Sequence, residues 1–354
     1  MRDGWVETTL DRVTECSWGN TETTKSKYVE SGYLAYSASG ADGFLDWFEH
    51  DRSAVVLSAI GAQCGKTWFA EGKWTSIKNT IWLKSDNLNL LDKYLFYLSN
   101  RDQFWQIRGQ AQPFISLGDV KKTKVLLPPL PEQKKIVDLI SSVDSYNKAL
   151  QQQLESAKRS RNAVLHELMS QALDENRKPL IELAKLQRGH DLPTQDRIEG
   201  SIPVVASNGV VGFHNTHKAI GPGVVTGRSG TIGKVIYIDD DYWPLNTTLY
   251  VIDFKGNHPK FVALVLETLK LENYAGGSTV PSLDRNVLSQ VPVPYPSIKE
   301  QERIVGIIQS LDEVVAKSEH AISQAKILRT GLLSDLLSGT HEIPASYDQV
   351  IGAA

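Results

Sequence analysis

Residues 131–170, PEQKKIVDLISSVDSYNKALQQQLESAKRSRNAVLHELMS, decide how the chain is read. Taken at alternating steps of four and three, they present Ile136, Ile140, Val143, Asn147, Leu150, Leu154, Ala157, Arg161, Val164 and Leu168. Apolar residues hold eight of these ten places, the period of a coiled-coil seam on one continuous helix. The pattern returns 168 residues later as Ile304, Ile308, Leu311, Val315, Ser318, Ile322, Ala325, Arg329, Leu332 and Leu336. Between residues 132–170 and 300–338 the match is ungapped, with 13 identities in 39 positions. One chain thus carries two copies of the same helix, each about 60 Å long at ~1.5 Å per residue.

Each helix follows a globular segment of similar length. Residues 1–130 alternate short apolar runs with Gly, Ser and Asn. Gly32–Tyr36, Ala54–Ser58 and Thr80–Leu83 read as strands, and Leu91–Leu98 as a helix entered from Asn89 or Asp92. The prolines after Val125 end this domain, because proline continues neither a sheet nor a helix interior. Pro131 and Glu132 suit a helix start. Residues 174–296 repeat the scheme: strands at Ile202–Val205, Gly223–Thr226, Lys234–Ile238 and Thr248–Ile252, a helix over Pro259–Leu271, and terminating prolines at 292, 294 and 296. Ser297 and Glu300 form a capping-box pattern, and Gly339 ends the second helix. The expected layout is a domain at 1–130, a helix at 131–173, a domain at 174–296, a helix at 297–339 and a tail at 340–354.

The domains match weakly as well. Gly40–Phe44 pairs with Gly209–Phe213, Gly61–Lys66 with Gly230–Lys234, and Asn79-Thr80 with Asn246-Thr247. The helices agree while the loops differ, as expected if the helices share one structural task and each domain reads something different. Two equal helices in one chain most simply pair antiparallel under an approximate two-fold axis.

This order of features resembles the DNA specificity subunits of Type I restriction–modification systems, over nearly the whole chain. The resemblance rests on Pro129-Leu-Pro-Glu-Gln133 and Ser297-Ile-Lys-Glu-Gln301, each followed by Ile-Val and heptads three to four residues on. It rests also on the Trp5-Val-Glu-Thr-Thr-Leu10 start and the loop Thr226-Gly-Arg-Ser-Gly-Thr-Ile-Gly233. It implies a mixed α+β fold: two α/β target-recognition domains separated by two long antiparallel helices forming a coiled coil. It implies double-stranded DNA as ligand, with each domain reading half of a split sequence. It also implies two methyltransferase subunits docked on the helices and, through them, restriction subunits. Adenine-N6 methylation and ATP-dependent cleavage would then belong to those partners.

The residues themselves suggest no chemistry of their own. Gly61-Ala-Gln-Cys-Gly-Lys-Thr67 has three residues between its glycines where a phosphate loop needs four, and reads as a tight turn. Asp239-Asp-Asp241 reads as a solvated turn. No Asn/Asp-Pro-Pro-aromatic motif marks a methyltransferase, and the eight histidines lack metal-ligand spacing. The chain is therefore expected to be non-catalytic and to need neither cofactor nor metal. The two cysteines, Cys16 and Cys64, read as small apolar residues of a cytoplasmic protein. No apolar run reaches membrane-spanning length.

DNA contact would come from loops, since Arg and Lys read guanine and Asn and Gln read adenine in the major groove. The candidates in the first domain are Lys66, Lys73, Lys78, Asn79, Gln106, Arg108, Gln110 and Gln112. In the second they are Asn208, His214, Asn215, His217, Arg228, Ser229, Lys234 and Asn246. Each alone is more ordinarily a surface or turn residue, and the nearby Trp68, Trp74, Trp82 and Trp243 are more ordinarily core. Residues 1–128 hold 15 basic and 15 acidic side chains, and residues 178–295 hold 11 of each. That balance predicts basic residues gathered on one face, with partners supplying further phosphate contacts. Arg161 and Arg329 stand at equivalent seam positions. The plain reading packs the stem and solvates the head; the sharper one makes each a register pin or a contact to a partner subunit. Asn147 in the seam could also set register. The competing reading of the whole chain is a coiled-coil scaffold that clamps two protein ligands.

Overall fold

The computed structural model describes residues 4–86, 88–101, 103–276, 281–340 and 342–344. The chain forms two compact units, residues 1–149 with 322–354, and residues 150–321. Both long helices are present, Leu130–Glu175 with 46 residues and Ile298–Ser338 with 41. The unit boundary falls inside the helices, so each unit contains part of both.

In the first unit, Thr14–Trp18, Thr80–Ser85, Ala54–Ser58 and Thr67–Ala70 form an antiparallel sheet in that order. A second sheet has the order Gly40–Leu45, Tyr33–Ser37, Lys73–Ser76, His50–Asp51, with its central pair parallel. Helix Asp92–Ser99 covers one face of the first sheet, and Tyr36, Val56, Trp74 and Trp82 are buried together on the other. The second unit repeats this. Its four-stranded sheet runs Lys185–Arg188, Thr248–Asp253, Gly223–Gly227, Val235–Ile238. Its smaller sheet runs Gly209–His214, Ile202–Ala206, Trp243–Pro244, again with a parallel pair. Helix Pro259–Thr268 stands where Asp92–Ser99 stands. Val205, Val225, Tyr242 and Tyr250 make the matching buried cluster. Gly223 is required there: a Cβ would lie 2.2 Å from the Tyr242 ring.

Several expectations change in detail. The repeat aligns Thr80 with Thr248, because each hydroxyl donates to the carbonyl three residues back, Ile77 and Leu245. Asn79 therefore matches Thr247, and both carbonyls accept from the corresponding strand ends, Ala59 and Arg228. The pairing of Asn79-Thr80 with Asn246-Thr247 was one residue out of frame. Pro292 and Pro294 do not end the sheet structure. They lie in the strand Pro292–Pro294, which pairs antiparallel with Arg177–Pro179 in a two-stranded ribbon where ladder donors can be spared. Asp92 is no cap: its buried carboxylate accepts the Ser85 N–H at 2.7 Å and the Ser53 hydroxyl at 2.6 Å. Ser297 accepts the Glu300 N–H at 3.3 Å, but the Glu300 carboxylate turns to Arg303, so only half the capping box forms. Gly339, at φ 72°, does end the second helix. Most of the expected tail at 340–354 lies outside the described residues.

Inside each unit the two helix segments run antiparallel. In the first, Ile136 and Ile140 share a core with Leu333, Leu336 and Leu337. In the second, Leu165, Met169 and Ala172 share one with Ile304, Val305 and Ile308. The buried stripe is wider than the heptad seam, taking in Leu165, Met169, Ala172, Val305, Leu333 and Leu337. At these ends a helix packs on its own domain as well as on the other helix. Val143, Leu150, Leu154, Ala157, Leu311 and Val315 are half-buried.

Candidate DNA-reading surface

The expected readers do not form one patch. In the first unit, backbone hydrogen bonds tie four loops along one sheet end. Ser58 N–H donates to the Lys66 carbonyl, Ala59 to Asn79, Ile115 to Ala59, and Gly61 to Pro113. Arg108 and Phe114 exchange backbone bonds at 3.0 and 2.8 Å, which folds the 108–114 loop onto the same end. Lys66, Lys78, Gln106, Arg108, Gln110 and Gln112 are exposed, and Asn79 is half-buried at φ 72°. Arg108 is engaged by Asp119 at 2.5 Å. Lys73 stands apart, at the other end of its strand Lys73–Ser76, with its ammonium 4.7 Å over Phe48. Trp74 and Trp82 are core, and Trp68 packs beside them.

In the second unit, Asn208 and Lys234 meet directly, the lysine donating to the Asn208 carbonyl at 2.6 Å. Arg228 and Ser229 both donate backbone N–H groups to the Thr247 carbonyl. The Asn246 amide binds Asp191. These five candidates share one sheet end. His214 does not face outward: it is 6% exposed, its Nδ1 accepts from the Ile198 N–H at 3.0 Å, and its ring meets Trp243 edge-on. Its place in the hairpin is structural. Asn215 and His217 are exposed, but His217 sits 3.5 Å from Asp241, before the strand Trp243–Pro244, whereas Asn246 follows it.

Arg228 also lines a hollow of about 660 Å³ with Arg188, Arg285 and Asp284. Three arginines lining one hollow suit a phosphate or a guanine edge. The sequence reading missed Arg188 and Arg285, which are 97 residues apart in the chain. Strand Lys185–Arg188 and the bond from Leu283 N–H to the Arg228 carbonyl bring them together. In the first unit Trp18 and Ala59 hold the places of Arg188 and Arg228, so the two ends present different chemistry on one frame.

The parts that hold the frame are, by contrast, duplicated closely. Gln133 and Gln301 are both 0% exposed at the helix starts. Gln133 accepts from the Leu91 N–H and donates to the Asn89 and Pro128 carbonyls. Gln301 accepts from the His258 N–H and donates to the Asn257 side chain and the Pro296 carbonyl. The Gln of each entry motif is thereby a latch between a long helix and the start of the short helix of its domain. Each seam arginine forms an ion pair with an aspartate of the other long helix: Arg329 with Asp144, and Arg161 with Asp312 at 2.8 Å. These are the same pair, 168 residues apart and reciprocal. The bond to Asp144 raises the pKa of Arg329 despite burial. For Arg161, burial works to lower it, but Glu267 and Asp312 prevail and it too is raised. Asn147 is 8% exposed and its amide has no hydrogen-bond partner among the described residues. The repeat places Val315 opposite it in number.

Among the described residues no cluster of His, Cys, Asp or Glu could hold a metal ion, and no helix is long and apolar enough to cross a membrane. The 61–67 loop is a hairpin turn with Gly61 and Gly65 at positive φ. Cys16 and Cys64 are free and half-buried, and burial pushes both thiols up.

The family model for the Type I restriction modification DNA specificity domain matches residues 2–157 and 175–326. A type I restriction enzyme specificity subunit of Methanocaldococcus jannaschii is 26% identical over 340 residues, covering 82% of this chain and 79% of its own. The crystal structure of the S subunit of a Type I system from M. genitalium superposes with a TM-score of 0.64 at 18% identity, covering 96% of this chain and 97% of that one. A structure concerned with complex assembly and conformational transition of the type I system gives 0.59 at 14% identity, over 95% and 98%. With both halves of the chain matched, this protein belongs to the Type I restriction–modification DNA specificity family.

Proposed function

We propose that this chain confers DNA sequence specificity on a Type I restriction–modification complex by reading a bipartite target, one half with each unit. The observation that carries this reading is the contrast within the repeat. The Gln latches and Arg–Asp pairs are conserved between the halves, while the sheet-end loops diverge: Trp18 against Arg188, Ala59 against Arg228, Asn79 against Thr247. A common frame with unlike readers is what two different half-sites demand. The reading residues are Lys66, Lys78, Asn79, Arg108, Gln110 and Gln112 in one unit, and Asn208, Arg228, Ser229, Lys234 and Asn246 in the other, joined by Arg188 and Arg285.

The long helices serve as spacer and as dock for methyltransferase subunits. Adenine-N6 methylation and ATP-dependent cleavage are performed by the partners. Binding by the chain alone is weak and salt-sensitive, because its charges balance. The test is an insertion of four residues in each helix at matched seam positions, which adds about 6 Å. Methylome sequencing should then return both half-sites unchanged with a longer spacer. An unaltered spacer with full methylation refutes the ruler.

A further inference from the structure

The duplication shows what one face of the second unit lacks. In the first unit, Phe96 meets Phe69 with ring centroids 5.7 Å apart, under Lys93, whose ammonium lies 4.1 Å from the Phe69 centroid. Beside it Tyr97 is 1% exposed, with its hydroxyl 3.0 Å from Ser141 Oγ and donating to Asp144 Oδ2 at 3.1 Å. The second unit repeats the surroundings. Tyr237 replaces Phe69 on the matching strand, Lys260 stands 5.2 Å over its ring, and Asp312 with Arg161 repeats Asp144 with Arg329. Three positions depart: Ala263 stands for Phe96, Leu264 for Tyr97, and Gln309, which also lines the space, for Ser141. What remains is a cavity of about 480 Å³, floored by Leu264, Val305 and Ile308, with Tyr237, Lys260 and Asp312 at its rim.

We propose that this cavity receives a tyrosine-like side chain from the methyltransferase subunit docked on the second unit, supplying from outside the ring that Tyr97 and Phe96 supply internally in the first. The proposal rests on the docking role of the helices put forward above. The occupant is argued from the internal copy: the same frame, filled, holds two aromatic rings with a phenol on the seam aspartate. An apolar floor with a carboxylate at its rim matches a side chain with an apolar body and a polar tip. Aromatic anchors seated in such pockets dominate protein interfaces. The two docking faces of the chain are therefore unequal, and only one takes an inserted ring.

The experiment uses the full chain, p-cresol as a side-chain probe, and the methyltransferase subunit of the same system. Ala263→Phe with Leu264→Tyr rebuilds the first unit's filling in the second. In methyl NMR, p-cresol should shift Val305 and Ile308 in the parent chain and leave them unmoved in the filled variant. The filled variant should melt no lower than the parent and bind one of its two methyltransferase subunits at least tenfold more weakly. Leu264→Phe alone is the fallback should the double variant misfold, with the same expectation. The proposal is overturned if p-cresol leaves Val305 and Ile308 unmoved, or if a folded filled variant keeps both subunits at parental affinity. If p-cresol binds as expected but the parent chain binds no methyltransferase, the docking role has failed, and the assigned occupant with it.

Discussion

Replacing Gln133 by Leu should destabilise the first unit far more than a surface change would. The amide is fully buried; it accepts the Leu91 N–H at 3.0 Å and donates to the Asn89 carbonyl at 2.7 Å and the Pro128 carbonyl at 2.9 Å. Leucine fills the space but satisfies none of the three. A buried group left unpaired costs about 1–3 kcal/mol. Asn89 is exposed, so its carbonyl can turn to water, which leaves two groups at full cost. The apolar gain of leucine offsets part of this, and the net loss is about 2–4 kcal/mol, against a typical stability of roughly 5–15 kcal/mol. Seven of the eight tryptophans, all but Trp243, lie in the first unit, so tryptophan fluorescence in a urea titration reports on it. With a slope of about 2 kcal/mol per molar, the midpoint should fall by about 1–2 M. Gln301→Leu is the matched control, moving the circular-dichroism transition while the main fluorescence transition moves less. A Gln133→Leu midpoint within about 0.3 M of the parent would refute the latch.

Reversing Arg329 to Asp should cost about 1–2 kcal/mol, since the pair is only partly buried, and reversing Asp144 to Arg in the same chain should restore most of it; a double-mutant cycle in urea measures the coupling. His50 is 8% exposed beside Trp74 and Trp82, and burial, with Lys84 adding to it, holds its pKa down to about 4. The unfolded chain takes up that proton near pH 6.5 and the folded one does not until about 4, so stability should fall as pH drops between those values. The loss should reach about 2–3 kcal/mol by pH 4.5, and His50→Gln should remove that slope in melting curves. Arg285→Ala should weaken DNA binding by the assembled complex and lower its salt slope by about 1 if the arginine holds a phosphate. If it reads a base instead, methylome sequencing should show relaxed specificity at one position of a single half-site.

Much of this fold was legible because it is written twice. A helical seam depends on residues three and four apart, and its echo 168 residues on marks it as deliberate. The strands of the main sheets were visible as apolar runs, for the same local reason. The short strands Gly40–Leu45 and Gly209–His214 were not, since glycine and polar residues interrupt their alternation. The reading surface was legible only in part. Lys66 and Lys234 follow glycine turns that sequence can locate. Lys73, Asn215 and His217 looked like neighbours but lie toward the other end of their sheets, because a strand of only a few residues separates its two ends.

By itself, then, the sequence determined the duplication, the helical period, the α+β class and the kind of side chain on offer, since each depends on spacing along the chain. Tertiary structure alone decided which side chains meet. His214 turned inward because Trp243 and the Ile198 amide hold it there. Arg188, Arg228 and Arg285 came to one hollow because strand pairing erases their distance in sequence. Gln133 and Gln301 became latches only when a long helix and a short one were laid end against end, since a buried amide shows its role only through the partners folding brings to it.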